Sequence, residues 1–291
     1  MAVKIVTDST SYIPKELIKK YDISIVSLSV FFDDENIREV DIDNEKFYEK
    51  MEQCNTIPTS SQPSVEEIYK AFEKHVRENN EVVGIFISSH MSGTFSTASM
   101  VKNMILEEYP DAKIELIDSK SNSMQLGFAV IMAAEAAVEG KRLESVVQAA
   151  EKNMKRSRFI FSPDTLTYLK KGGRIGGASA LIGSLLSIRP ILTVVEGKTE
   201  ILSKVRTSKR AIETIINTFI EDTKKFGFGD VIIHHINCEE KAKKIAHTIE
   251  KQAGKVVKIC DIGPVIGVHV GPGALGLVYY TKQELKLNMY Q

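Results

Sequence analysis

Short apolar runs and longer amphipathic ones alternate through the first half of the chain. Val3–Thr7 is apolar and β-branched, the pattern of a buried strand, and Asp8-Ser9-Thr10-Ser11 follows it at once. Pro14 stands ahead of Lys15–Tyr21, which suits a helix with proline at its start. Ile23–Phe32 reads as a second strand, and a helical pattern begins at Asn44. Ser64 and Glu67 have capping-box spacing before a helix over Val65–Glu78. Val82–Ile87 predicts a buried strand and leads through Ser88-Ser89-His90-Met91-Ser92-Gly93-Thr94 into a helix ending near Glu108. Lys113–Ile117 (strand), Met124–Glu139 (a long apolar helix) and Leu143–Lys155 (helix) complete this half. Strands alternating with helices imply a mostly parallel sheet.

The pattern changes near residues 155–160. Phe159–Phe161 predicts a strand, and Leu166–Lys171 a short helix ended by Gly172-Gly173. The small apolar segment Gly176–Ser187 follows. Ile191–Val195 and Glu200–Val205, joined through Gly197-Lys198, form a hairpin. Helices are expected over Lys209–Lys225 and Glu239–Lys251, and strands over Val231–His235, Val256–Asp261, Val265–Val270 and Leu277–Thr281. Short turns between strands are antiparallel signals. The reading is an α/β chain of two domains. An N-terminal domain, residues 1–157, has a mostly parallel sheet, and a C-terminal α/β domain, residues 158–291, has a mixed one.

Composition narrows the class. The chain has 291 residues, with 38 Lys+Arg against 38 Asp+Glu, 43% hydrophobic residues and no Trp. That length exceeds the usual limit of one core. A formal net charge of zero counts against a nucleic-acid coat. The zero conceals regional charge: Asp33–Glu52 holds nine acidic and three basic residues, whereas Lys170–Arg210 holds nine basic and two acidic. The basic stretch lacks interleaved aromatics, so it suits an anionic small molecule or a docking face better than a nucleic acid. Three cysteines, Cys54, Cys238 and Cys260, without a CxxC pair form neither a disulfide framework nor a zinc site. The N-terminus carries no signal-peptide pattern, and the apolar run near Phe128–Val138, interrupted by Glu135, is too short to span a bilayer. A reduced, cytoplasmic compartment is expected.

The chemistry concentrates in hydroxyl-rich loops after strands, where ligands of open α/β sheets bind. Pro58-Thr59-Ser60-Ser61-Gln62-Pro63-Ser64 carries four hydroxyls, three of them between its two prolines. Ser92-Gly93-Thr94 opens a helix, whose free N–H groups attract anions. These two loops could converge on a carboxylate or phosphate; equally, they could do no more than cap the helices behind them. No G-x-S-x-G surrounds Ser92. Gly271-Pro-Gly-Ala-Leu-Gly276 matches G-x-G-x-x-G, yet a β-type run follows it and Pro272 removes an N–H, so it reads as a glycine-rich loop between strands. No P-loop occurs, and no cofactor or metal site is expected. His269, on an apolar strand beside that loop, would need a hydrogen-bond partner if buried.

Seven segments in order resemble the DegV family over nearly the whole chain: IVTDST, PTSSQPS, SSHMSGTFSTA, IDSKSNSMQLG, KGGRIGG, IRPILTV with EGK, and IGPVIGVHVGPGALG. The resemblance implies two α/β domains with an acyl chain buried between or within them. It implies a protein that binds a long-chain fatty acid and presents its carboxylate to a separate ATP-binding fatty acid kinase subunit, with no catalytic residue of its own. Transient membrane contact is compatible with that role. Carried over by motif, the carboxylate site comprises Ser60, Ser61, Ser92, Gly93, Arg206 and His269, and Arg174 is the candidate partner dock. Two departures stand out: Ser60 replaces a frequent Thr, and Val268 stands where many members have a second His. Met100, Met104, Met124 and Met132 would adapt to acyl length or simply pack the core. The alternatives are a stand-alone phosphotransferase acting on a small metabolite and a lipid-responsive regulatory module.

Overall fold

The expected alternation organises the chain as strands flanked by helices. The computed structural model describes residues 1–32, 35–53, 56–182 and 188–285. Cys54, Asp33 and Asp34 of the acidic segment, and residues 183–187 of the Gly176–Ser187 stretch lie outside the described residues. In chain order the elements are β1 (Val3–Asp8), α1 (Lys15–Tyr21), β2 (Ser24–Val26), β3 (Ser29–Phe32), β4 (Glu35–Arg38), α2 (Asn44–Gln53), β5 (Thr59–Ser61), α3 (Val65–Arg77), β6 (Glu81–Phe86), α4 (Thr94–Glu108), β7 (Ile114–Asp118), α5 (Ser123–Val138) and α6 (Leu143–Met154). They continue with β8 (Ser157–Ser162), α7 (Thr167–Lys171), β9 (Arg189–Val195), β10 (Lys198–Val205), α8 (Ser208–Phe226), β11 (Phe228–His235), α9 (Glu239–Ala253), β12 (Lys258–Asp261), α10 (Pro264–Val270) and β13 (Leu275–Thr281).

Two compact units result: Met1–Asp41 with Ser60–Met154, and Ile42–Thr59 with Lys155–Gln291. The segment Ile42–Thr59, which the sequence reading assigns to residues 1–157, therefore groups with the second unit. The polar face of α2 explains this. Asn44 Nδ2 donates to Asp261 Oδ2 at 2.8 Å, Tyr48 Oη donates to the Ile262 carbonyl at 2.8 Å, and Glu52 Oε1 accepts from Asn237 Nδ2 at 3.1 Å. These residues are four apart, so they share one helix face.

The first unit holds a parallel sheet of order β2-β1-β6-β7. Its strands are buried on both faces, as their near-continuous apolar runs require. One face packs Ile68 and Phe72 of α3 and Ala98, Val101 and Ile105 of α4 against Val6, Val82 and Phe86. The other carries α5 and α6. Helix α5 is apolar nearly all round and accordingly buried. Ser64 caps α3 by accepting from Glu67 N at 3.1 Å, as its spacing predicts. A small sheet, β4-β3-β5, stands beside the main one.

The second unit has a six-stranded mixed sheet, β10-β9-β8-β13-β11-β12. Every described pair is antiparallel except β11 with β12. Ile215 and Phe219 of α8 and Ile245 and Ile249 of α9 share a core with Ile160, Ile191, Ile233, Leu277 and Tyr279. Within it, Asp222 Oδ2 accepts from buried Arg158 at 2.7 Å and from the Tyr279 hydroxyl. One expected strand is a helix: Val265–Val270 falls in α10, with Pro264 in its first turn. A short run rich in Val and Ile fits a buried helix as well as a buried strand, and proline at the start decides for the helix. Ile23–Phe32 is two strands rather than one.

Candidate functional site

The carboxyl edge of the parallel sheet gathers the hydroxyl loops. Strand order reverses between β1 and β6, because β2 lies on one side of β1 and β6 on the other. That reversal is where open α/β sheets form a crevice. Asp8, the last residue of β1, fills the base. Its Oδ1 accepts from Thr10 N at 3.0 Å and from Thr10 Oγ1, and its Oδ2 accepts from Ile87 N at 2.7 Å. Burial raises its pKa to about 6, although all of these hydrogen bonds pull it down. The Asp8 carboxylate thus ties the end of β1 to the loop after β6.

That loop is built from hydroxyls. Ser88 N donates to the Ser121 carbonyl at 2.8 Å, and Ser89 Oγ donates to Asp118 Oδ2 at 2.6 Å. The Ser92 hydroxyl lies 2.8 Å from Thr94 Oγ1 and accepts from Thr94 N at 3.3 Å, so it sits half-buried at the mouth of the 15-residue α4. The His90 backbone N–H donates to Ser88 Oγ at 3.1 Å, and the residue is exposed.

Ser60 and Ser61, both half-buried, end β5. Gln62 follows them, and its Nε2 donates to Thr97 Oγ1 on α4 at 2.5 Å. A Cβ on Gly93 would overlap the Gln62 side-chain oxygen, so any larger residue there would displace that amide. The structure therefore brings the Ser60-Ser61 and Ser92-Gly93 loops side by side. The clamp between them, Gln62 with Thr97, is missing from the sequence reading. The sequence motif PTSSQPS contained Gln62, but nothing in the pattern pointed it at α4. Hydroxyls joined to a helix N-terminus form a receptor for an anion without a fixed cation.

The remaining sequence-derived residues belong to the second unit. His269 stands in the last turn of α10, not on a strand, and Gly271 closes the helix at φ 87°. The glycine-rich loop therefore joins α10 to β13 rather than two strands. Burial first, and the nearby Arg174 charge second, push the His269 pKa down to about 4. Arg174 donates to the Gly172 carbonyl at 2.6 Å. A Cβ on Gly172 would overlap His269 Nδ1. The GGR motif and His269 are thus one constellation, a proximity that some ninety residues of separation hide. Arg206 is exposed between β10 and α8, where Thr207 caps α8 by accepting from Arg210 N. Met124 is buried, whereas Met100 and Met104 are exposed on α4, so ordinary core packing does not describe that pair. Among the described residues no cluster of His, Cys, Asp and Glu could hold a metal, and no helix is long and apolar enough to cross a membrane.

The sequence pattern of the DegV family, described as uncharacterised, matches residues 2–282. A DegV domain-containing protein of Clostridium acetobutylicum is 58% identical over 286 residues, spanning 98% of this chain and 100% of that one. The structure is similar to DegV of Bacillus subtilis, described as a fatty acid binding protein, with a TM-score of 0.86 and 35% identity over 97% of this chain and 100% of that one. It is also similar to a stearic-acid-binding protein from Eubacterium ventriosum, with a TM-score of 0.88 and 28% identity over 96% and 98% of the two chains.

Proposed function

The chain belongs to the DegV family, and from that premise we propose that it binds a long-chain fatty acid and presents the carboxylate to a separate ATP-binding kinase subunit, which forms the acyl phosphate. The observation that carries this reading is the Gln62 clamp, which sets Ser60 and Ser61 beside Ser92 and Gly93 at the N-terminus of α4. Hydroxyl and N–H donors recognise a carboxylate without neutralising it, so it stays a nucleophile toward the γ-phosphorus of ATP. The tail supplies affinity, at about 0.8 kcal/mol for each buried methylene. The fatty acid binding described for the relatives supports the same ligand class. In the second unit, Arg174 is assigned to docking of the kinase subunit, and His269 and Arg206 are assigned as residues on which phosphorylation depends. The protein is in this reading a cytoplasmic carrier, not an enzyme on its own.

Extraction and mass spectrometry of the purified chain should find fatty acid at near-equimolar amounts, and the stripped protein should take up labelled oleate. Ser60→Ala combined with Ser92→Ala should weaken oleate retention and block acyl phosphate formation when a fatty acid kinase subunit and ATP are added. Unchanged binding and phosphorylation in that variant would reject the carboxylate site. ATP consumption by the isolated chain would instead favour the stand-alone phosphotransferase. Acyl binding with no phosphorylation by any partner would favour the regulatory module.

A further inference from the structure

A cavity of about 500 Å³ lies in the second unit, between α8, α9, the end of β8 and the start of β13. Ile212, Ile215 and Ile216 of α8 and Leu275 of β13 form its apolar wall. That volume and that wall suit a small organic molecule. The wall is also short. At about 1.5 Å for each residue, Ala211 to Ile216 rise about 8 Å along α8, and Lys241 to Thr248 rise about 10 Å along α9. A compact apolar body fits that length, and the extended tail of a long-chain fatty acid does not.

The rim sets the polarity of the ligand. Arg189 Nη1 donates to the Asp164 carbonyl at 2.6 Å and to Asp164 Oδ1 at 2.7 Å, which fixes the guanidinium at the cavity. Among the described residues, Arg189 Nε and Nη2 make no hydrogen bond. The side chain is 34% exposed, so these donors are within reach of a ligand.

Lys209 on α8 and Lys241 on α9 also line the cavity; both are exposed, and neither forms an ion pair among the described residues. The Asp164 charge is answered by Arg189, which leaves two lysines against Glu213. The hydroxyls of Ser162 and Thr248 are already committed to the carbonyls of Pro190 and Lys244. The balance of the free charged groups is therefore cationic.

We propose that this cavity binds a small organic carboxylate with a compact apolar body. The carboxylate takes the two unused edges of the Arg189 fork in a two-point contact, with Lys209 and Lys241 flanking it. The body covers Ile212, Ile215 and Leu275. Asp164 acts as the support: a guanidinium already held in one orientation loses less freedom when the ligand arrives. An inorganic anion would leave the apolar wall in water, and an ammonium ligand would meet the lysines.

Isoleucine-methyl NMR of the full chain, titrated with 3-phenylpropanoate, tests this. Saturable shifts of the Ile212 and Ile215 methyls are expected, with the same affinity in stripped and in oleate-loaded protein. The neutral isostere 3-phenylpropanamide should bind about tenfold more weakly, which corresponds to one charged hydrogen bond. Lys209→Gln/Lys241→Gln, at two exposed positions, should weaken the carboxylate and leave the amide unchanged. Arg189→Lys keeps a cation beside Asp164 but cannot make a two-point contact, so it should weaken the carboxylate as well. Four outcomes would overturn the proposal: Ile212 and Ile215 methyls that stay unmoved, equal affinity for acid and amide, unchanged carboxylate affinity in both variants, or displacement of the probe by oleate.

Discussion

Gln62 reaches from the end of β5 to Thr97 on α4, donating from Nε2 to Oγ1 at 2.5 Å, while its side-chain oxygen fills the space a Cβ on Gly93 would need. One amide therefore sets the spacing of two hydroxyl loops. A neutral hydrogen bond contributes about 1 kcal/mol net. Its value here is positional, since misplaced donors lose the carboxylate.

Gln62→Ala should weaken oleate binding about fivefold and leave the thermal midpoint nearly unchanged. Gly93→Ala should weaken binding by a similar factor, because the new methyl displaces that amide from Thr97. Competition binding with a fluorescent fatty acid reads both. A Gly93→Ala protein that binds like the parent would show that the clamp does not set the loops.

Asp8 gives a pH dependence of definite sign. Its folded pKa, about 6, lies above the model-peptide value of 3.8, so the folded state holds the proton more tightly than the unfolded one. The stabilisation is full below about pH 4 and is lost as pH rises to about 6, on the order of 3 kcal/mol in all. Other carboxylates contribute their own slopes. The comparison is therefore with Asp8→Asn, whose urea midpoint should lack this fall between pH 4 and 6. Parallel curves for the two proteins would refute the assignment.

Local signals survived translation into structure; long-range ones did not. The Ser64 cap, the apolar circumference of α5 and the hairpin of β9 with β10 all rest on neighbours in sequence. The break between β2 and β3 does not. There Ser27 N donates to Glu67 Oε1 at 2.8 Å and Leu28 N donates to Ser9 Oγ at 3.1 Å, so side chains take the backbone groups a continuous ladder would have used. The grouping of α2 with the second unit was equally hidden, because Asn44, Tyr48 and Glu52 find partners roughly two hundred residues away. The hydroxyl loops were visible as motifs. Their registration through Gln62, and the approach of Arg174 to His269, needed coordinates.

The Arg158–Asp222–Tyr279 group stabilises the second unit only as a whole. Removing the carboxylate leaves the Arg158 guanidinium buried without its counter-charge, which costs about 3–5 kcal/mol. Asp222→Ala should therefore lower the urea midpoint sharply. Arg158→Met with Asp222→Leu should recover most of that loss, because no unpaired charge remains. A double variant as unstable as Asp222→Ala would mean that packing, not charge, carries the effect.

His269 is the residue whose protonation bears most directly on its proposed part in phosphorylation. With its pKa near 4 it is neutral from pH 5.5 to 8, so it can donate or accept a hydrogen bond but supplies no positive charge. Fatty acid phosphorylation should then show no inflection from His269 over that interval. The ring C–H resonance, followed by NMR, should titrate about two units below a free histidine. Arg174→Gln should raise that midpoint, since the guanidinium is one of its two causes, while burial keeps it below 6.5. A midpoint that stays fixed in Arg174→Gln would dissociate the two residues and remove the electrostatic link between the GGR motif and α10.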